Sequence, residues 1–413
     1  LKQPTKKTPP ALLAGGKTQG RMFMEFSYIC SECGKGHPIT PELMVCPECS
    51  ARQTPDKPLL GVMEIKLRGK ARPDFEVHSL LPVPKEFFPP LPVGDTPLWH
   101  APNLRKELGF KNLYFKDDGK NPTSSFKDRA SYLVSAFARM HKINELCLAS
   151  TGNAGSSMAG VGAAAGQKVV LFLPHTAPKA KLVQALQYGA TVYRVNGTYD
   201  QAYDLSLEYS VKFGGMSRST AFNPMTLEGK KTVSLEIFQQ LKKAPEHVFV
   251  PTGDGCILGG VYKGFKDLVE LGLIQEMPTV HCVQAENSNA INRALKNGDF
   301  DQKPSSTIAD SISVDIPRNG YYALKQLKKY QGNAVNVTDQ EIKEAQKRLS
   351  SSTGLFTEPA GAAAFAGLLK IKEDLNPKDT IVVLATGSGL KDILTAGSGV
   401  DVPEKTIESL DEI

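Results

Sequence analysis

Short apolar runs recur along this chain with helical spacing between them, and that alternation restricts the fold more than any other feature. The runs are ELCLAS (145–150), KVVLFLP (168–174), TVYRV (191–195), HVFVP (247–251), TVHCVQ (279–284) and TIVVLAT (380–386). Helical patterns occupy 153–165, 178–188, 198–213, 226–242, 258–272, 288–297, 338–350 and 360–374. A strand that is apolar on both faces has to be covered on both. Strands alternating with helices therefore predict an α/β protein built on parallel sheets. No period of roughly 20–50 residues is present, which argues against solenoids and propellers.

At 413 residues the chain is long enough for two or three domains around a large core. A composition of 41% apolar and 22% charged residues is that of an ordinary globular enzyme. The net charge of +6 is not gathered into a basic stripe, so it favours small anionic ligands and argues against nucleic acid. No run of about 18 apolar residues is available to span a membrane, and no charged-then-apolar secretory start is seen. A cytoplasmic protein with no membrane partner is expected. Residues 1–21, rich in Lys, Pro and Gly, read as a disordered leader, with Met22 and Met24 as candidate starts.

Cys30 and Cys33, then Cys46 and Cys49, form C-x2-C-x12-C-x2-C within a loop-rich stretch. Four thiolates at this spacing suit a closed tetrahedral zinc site, which is structural because it leaves no position open for chemistry. Cys147, Cys256 and Cys282 are scattered through apolar surroundings, a usage that fits a reducing compartment better than two disulfides. His37 lies between the pairs as a bystander. Residues 22–54 are thus read as a zinc knuckle and the proline-rich 55–93 as a linker over the main domain, with a possible strand at 61–67. The region 94–413 is left for catalysis.

In NPTSSFKDR (121–129) a polar turn meets a helix whose apolar positions are Tyr132, Leu133, Ala136, Phe137 and Met140. Ser125 and Asp128 stand at the spacing of a capping box. Lys127 then falls in the first helical turn, where orphan N–H groups and the macrodipole create a positive field and helices ordinarily carry acids. An uncharged lysine amine attacks aldehydes, so Lys127 is a Schiff-base candidate. The loop PTGDGCILGG (251–260) joins a strand to a helix and places Gly253, Asp254, Gly255, Cys256 and Ile257 where converging N–H groups can cradle a phosphate. Asp254 is awkward there, because a carboxylate repels a phosphate.

Together these stretches resemble the threonine synthase family of fold type II pyridoxal phosphate enzymes. The resemblance runs through GDTPL (94–98), NPTSSFKDR, STGNAG (150–155), NPMTLEGKKT (223–232), EPAGAAA (358–364) and TGSGLKD (386–392). It departs where Ser124 and Ala130 stand in place of glycines. It implies the tryptophan synthase β-like architecture: two parallel-sheet domains, the smaller near 135–215, with pyridoxal 5'-phosphate between them and a small four-cysteine zinc ribbon at the amino end. A homodimer is expected. By this resemblance Lys127 carries the cofactor and serves as base, Asn153 meets the ring oxygen, and Thr386 meets the pyridine nitrogen. Ser150 and Thr151 hold the substrate carboxylate.

The substrate side departs further. Family members grip the phosphate of phosphohomoserine with an arginine and a serine near NPxRLEG, a threonine after the ring asparagine, and a loop asparagine. Here Thr226, Ala221, Ala154 and Asp254 occupy those positions. A hydroxyl does not replace a guanidinium on a phosphate, so phosphohomoserine is expected to be a poor substrate. Lys230 or Lys231 could supply the charge, but their polar neighbours read as a solvated helix face. The resemblance implies a lyase acting at the β or γ carbon of a small amino-acid substrate, with threonine synthase (phosphohomoserine and water to threonine and phosphate) as the named activity. The alternative is a serine or threonine dehydratase, or a cysteate-synthase-like replacement on phosphoserine.

Overall fold

The computed structural model describes residues 24–175, 177, 179–400, 403 and 406–409. The stretch read as a disordered leader lies outside them. At the amino end β1 (Glu25–Cys30) pairs antiparallel with β2 (Gly36–His37) and with β3 (Met63–Arg68), giving a small ribbon. The expected strand near 61–67 is thus the third strand of that ribbon, although it lies within the stretch read as a linker.

The chain next lays down β4 (Leu98–His100) and β5 (Asn112–Asp117), then crosses to a second sheet for β6 (Glu145–Ala149), β7 (Lys168–Pro174), β8 (Thr191–Val195) and β9 (Met216–Ser217). It returns with β10 (His247–Pro251), β11 (Thr279–Ala285), β12 (Asn333–Val337) and β13 (Thr380–Ala385). The larger sheet runs β12-β11-β10-β13-β5-β4 and the smaller one β8-β7-β6-β9. All pairings in both are parallel except β4 with β5, an antiparallel edge that the apolar runs did not foretell.

Every residue of β13 is buried, as a central strand covered on both faces requires. The short β4 and β9 and the partly exposed β12 lack that apolar signal, and they went unread. The helical patterns appear close to their expected places. The stretch 226–242 is divided at Lys231 into helices Pro224–Lys230 and Thr232–Leu241. In the larger sheet the chain order reverses between β10 and β13, and at such a switch point the loops leaving the strand ends diverge and open a crevice.

Candidate active site

The Lys127–Met140 helix begins where expected, but the Ser125/Asp128 capping box does not form. Asp128 turns back to accept from Thr123 N at 2.7 Å and from the Thr123 hydroxyl, while Ser125 Oγ is buried without a partner. Long-range pairing has taken over this segment. Phe126 N donates to Thr386 O at 2.8 Å, Ser388 N donates to Ser124 O at 3.0 Å, and Ser125 bridges to Gly387. The start of the lysine helix is therefore stitched to the residues that follow β13, and Thr386 is brought beside it.

A cavity of about 410 Å³ opens at the strand carboxyl ends, a volume suited to a small ligand. Lys127, Ser150, Thr151, Asn153, Ala154 and Asp254 line it. Asn153 opens the helix after β6 and is held firmly. Its Nδ2 donates to both oxygens of Glu358, at 2.9 and 3.0 Å, and to Ser311 Oγ at 3.2 Å. Glu358 N in turn donates to Gly387 O at 2.9 Å. Burial pushes the Glu358 carboxyl up from its ordinary range, and the Asn153 amide only partly offsets this. Glu358 sits in the EPAGAAA stretch, yet it was given no role from sequence.

The loop after β10 carries Gly253, Asp254, Gly255, Cys256 and Ile257 to the start of the Cys256–Glu270 helix. Gly255 holds φ +83°, a conformation that glycine adopts freely and that turns the strand into the helix. The carboxylate of Asp254 turns onto the loop itself and accepts from Cys256 N at 2.8 Å.

Three side chains differ from their sequence-based reading. Thr226 is not on the cavity wall: it is fully buried, and its hydroxyl donates to Asn223 O at 2.8 Å. Lys230 and Lys231 are not on a solvated face either, being 1% and 0% exposed. Lys231 reaches Asp267 at 2.8 Å, Leu80 O at 2.7 Å and Glu228. Glu228 stands one turn back, three positions away, but Asp267 lies 36 positions further along the chain, so spacing could reveal only the first pairing. Arg218, a residue sequence reasoning missed, is fully buried yet contributes to the cavity wall. It donates to Ser131 Oγ at 3.2 Å, Thr220 Oγ1 at 3.2 Å and Lys127 O at 3.3 Å.

A cofactor with a phosphate, an aldehyde and a polar ring fits this site on three grounds. Ser125 Oγ and Ser219 Oγ are buried polar atoms with no partner. The ammonium of Lys230 has no hydrogen-bond or ion-pair partner among the described residues. The Gly255 turn presents the first N–H groups of a long helix.

Behind the site, Arg129 is buried among carboxylates. It meets Asp118 at 2.6 and 2.9 Å and Glu236 at 2.5 and 2.8 Å, while Lys116 meets Glu236 at 2.7 Å. On the ribbon, the Sγ atoms of Cys30, Cys33, Cys46 and Cys49 all lie within 4.8 Å of one another. Cys30 to Cys49 is 3.7 Å and Cys33 to Cys46 is 3.8 Å. Four thiolates about 2.3 Å from a tetrahedral ion stand about 3.8 Å apart, so the donor set fits zinc. Glu64 of β3 ties the ribbon to the catalytic core through Lys266 at 2.5 Å and Tyr322 Oη at 2.8 Å. No described helix is long and apolar enough to cross a membrane.

Two parallel sheets, with a helix-start lysine and a glycine turn meeting at their carboxyl edges, define a fold type II pyridoxal phosphate enzyme. Residues 90–387 match the family described as pyridoxal-phosphate dependent enzyme. A threonine synthase from Methanocaldococcus jannaschii is 36% identical over 379 residues, which is 88% of this chain and 92% of that protein. One from Methanosarcina acetivorans is 33% identical over 395 residues, covering 93% and 96%. Among solved structures, a processed threonine deaminase isoform 2 from Solanum lycopersicum superposes with TM-score 0.66 at 25% identity, covering 77% of this chain and 89% of that one. The chain belongs to the threonine synthase family of pyridoxal-phosphate dependent enzymes. It is a pyridoxal-phosphate dependent lyase.

Proposed function

We propose that the cavity converts phosphohomoserine and water to threonine and phosphate, against the poor use of phosphohomoserine expected from Thr226, a residue that is buried off the cavity wall. The observation that carries this reading is the similarity to threonine synthases along nearly the whole length of both chains. Bound pyridoxal 5'-phosphate supplies an electron sink that acidifies protons on the substrate carbons nearest the amine.

Lys127 would hold the cofactor at its aldehyde carbon. Its Nζ would serve as the base for the substrate α-proton. Asn153 would meet the ring oxygen, with its amide positioned by Glu358. Ser150 and Thr151, at the mouth of the helix after β6, receive the substrate carboxylate. Thr386 meets the pyridine nitrogen with a hydroxyl, a weaker partner than a carboxylate. The Gly253–Ile257 turn receives the cofactor phosphate on backbone N–H groups. Over the reaction, phosphate leaves the γ carbon and the elements of water are added, with the hydroxyl on the β carbon. In the ribbon, Cys30, Cys33, Cys46 and Cys49 hold a structural zinc ion.

The test is to offer the purified protein phosphohomoserine, phosphoserine, serine and threonine while measuring phosphate, threonine and 2-oxoacid. Phosphate and threonine should appear together from phosphohomoserine. Lys127→Ala should abolish both this turnover and the lysine label left by borohydride. Release of 2-oxoacid from serine or threonine without any threonine synthesis would replace this reading with a dehydratase.

A further inference from the structure

Among the described residues, Lys230 is a buried cation with nothing to hold. It ends the Pro224–Lys230 helix and is 1% exposed, and its ammonium makes no hydrogen bond or ion pair among the described residues. A stranded ammonium is among the costliest groups a protein can bury, and ordinarily it finds a carboxylate. Its neighbour Lys231, equally buried, does so with Glu228 and Asp267.

The position of Lys230 is set by close helix packing. A β-carbon on Gly260 would lie 2.5 Å from Lys230 Cβ, so only glycine there lets the two helices approach. The side chain thus starts against the first turns of the Cys256–Glu270 helix, which begins at the glycine loop. The charged and titratable groups acting on it are Cys256 and Asp254 of that loop, together with Arg218 and Lys127 of the cavity wall. Burial, joined by the Arg218 and Lys127 charges, holds its ammonium below the ordinary lysine range, and the two loop groups do not make up the difference. Lys127 and Arg218 thus line the same cavity as Asp254, all three charges act on Lys230, and Asp254 has already turned onto Cys256 N.

We propose that Lys230 is the cationic partner of a phosphate monoester dianion held at the 253–257 turn, and that this phosphate is the cofactor's. The inference rests on reading that turn as the cofactor cradle. It also gives the lysine a role that the polar sequence around it concealed. Asp254 is tolerable in the loop because its carboxylate bonds Cys256 N and the Lys230 charge acts on it. A phosphorylated substrate could bring the same chemistry. In that case Lys230, with Arg218 on the wall, would stand in for the guanidinium missing at Thr226.

Cofactor-free protein prepared from the holoenzyme is titrated with pyridoxal 5'-phosphate and with pyridoxal, for wild type, Lys230→Met and Lys230→Arg. Removing one charge-assisted contact should weaken pyridoxal 5'-phosphate in Lys230→Met on the order of tenfold to a hundredfold. Pyridoxal, which lacks the phosphate, should bind both proteins alike, and Lys230→Arg should keep most of the affinity. Cofactor-free Lys230→Met should melt no lower than wild type, because a stranded charge has been removed, and this separates lost binding from lost folding.

If cofactor affinity is unchanged but KM for phosphohomoserine rises by a similar factor at saturating cofactor, the phosphate on Lys230 is the substrate's. If a folded Lys230→Met protein keeps both affinities, or loses pyridoxal as much as pyridoxal 5'-phosphate, the proposal is wrong. A wild-type protein that binds neither compound would overturn the cradle reading itself, and this inference with it.

Discussion

Replacing Glu236 by glutamine removes one carboxylate from the buried cluster that anchors the lysine helix, and its cost can be worked from the structure. Burial alone would raise the Glu236 carboxyl. Arg129 and Lys116 instead pull it down from 4.5 to about 2. At about 1.4 kcal/mol for each pH unit, that drop is worth about 3 kcal/mol of folding stability at neutral pH. The carboxyl is held below its unfolded value, so its contribution is complete above about pH 4.5 and is lost as pH falls towards about 2.

Glu236→Gln lacks this contribution at every pH. The gap from wild type should therefore be about 3 kcal/mol at pH 7 and narrower by about 1 kcal/mol near pH 4. Leaving Lys116 without its carboxylate, and Arg129 with Asp118 alone, works in the same direction, and breaking buried pairs generally costs about 3–5 kcal/mol. Urea unfolding of both proteins at the two pH values measures the gap. A difference below about 1 kcal/mol at pH 7, or one that does not narrow in acid, would refute the reasoning.

Two further outcomes are expected. Cys30→Ser with Cys33→Ser should release zinc, measured by metal analysis, and lower the melting temperature, since a structural metal contributes folding free energy. Molecules that stay folded should keep their turnover per bound cofactor. Glu358→Ala should leave the Asn153 amide without its fixed partner, shift the visible band of the bound cofactor and weaken cofactor retention on the order of tenfold, whereas Glu358→Gln should restore part of both. An unchanged absorbance spectrum and titration in Glu358→Ala would remove Glu358 from the positioning role.

Short-range signals in the chain determined much of this protein. Apolar runs marked β6, β7, β8, β10, β11 and β13, because a strand covered on both faces has to be apolar throughout. The paired C-x2-C knuckles marked the ribbon's thiol cluster, because each knuckle places its two thiols together locally. Thr338 and Glu341, three residues apart at the start of the Asp339–Thr353 helix, form a capping box with bonds of 2.7 and 3.1 Å, since nothing distant competes for its donors.

The same spacing failed at Ser125 and Asp128. There the backbone is claimed by Thr386 and Gly387, and Asp128 is drawn to Thr123. Tertiary structure alone also decided the fate of the adjacent lysines at 230 and 231. Both sit in a polar run that reads as solvated, and both are buried by the helix that Gly260 and Gly264 allow to approach. One lysine then meets Asp267 and the other meets no acid among the described residues. Burial depends on what packs across from a residue, and the Cys256–Glu270 helix that covers these lysines comes much later in the chain, beyond the reach of any local pattern.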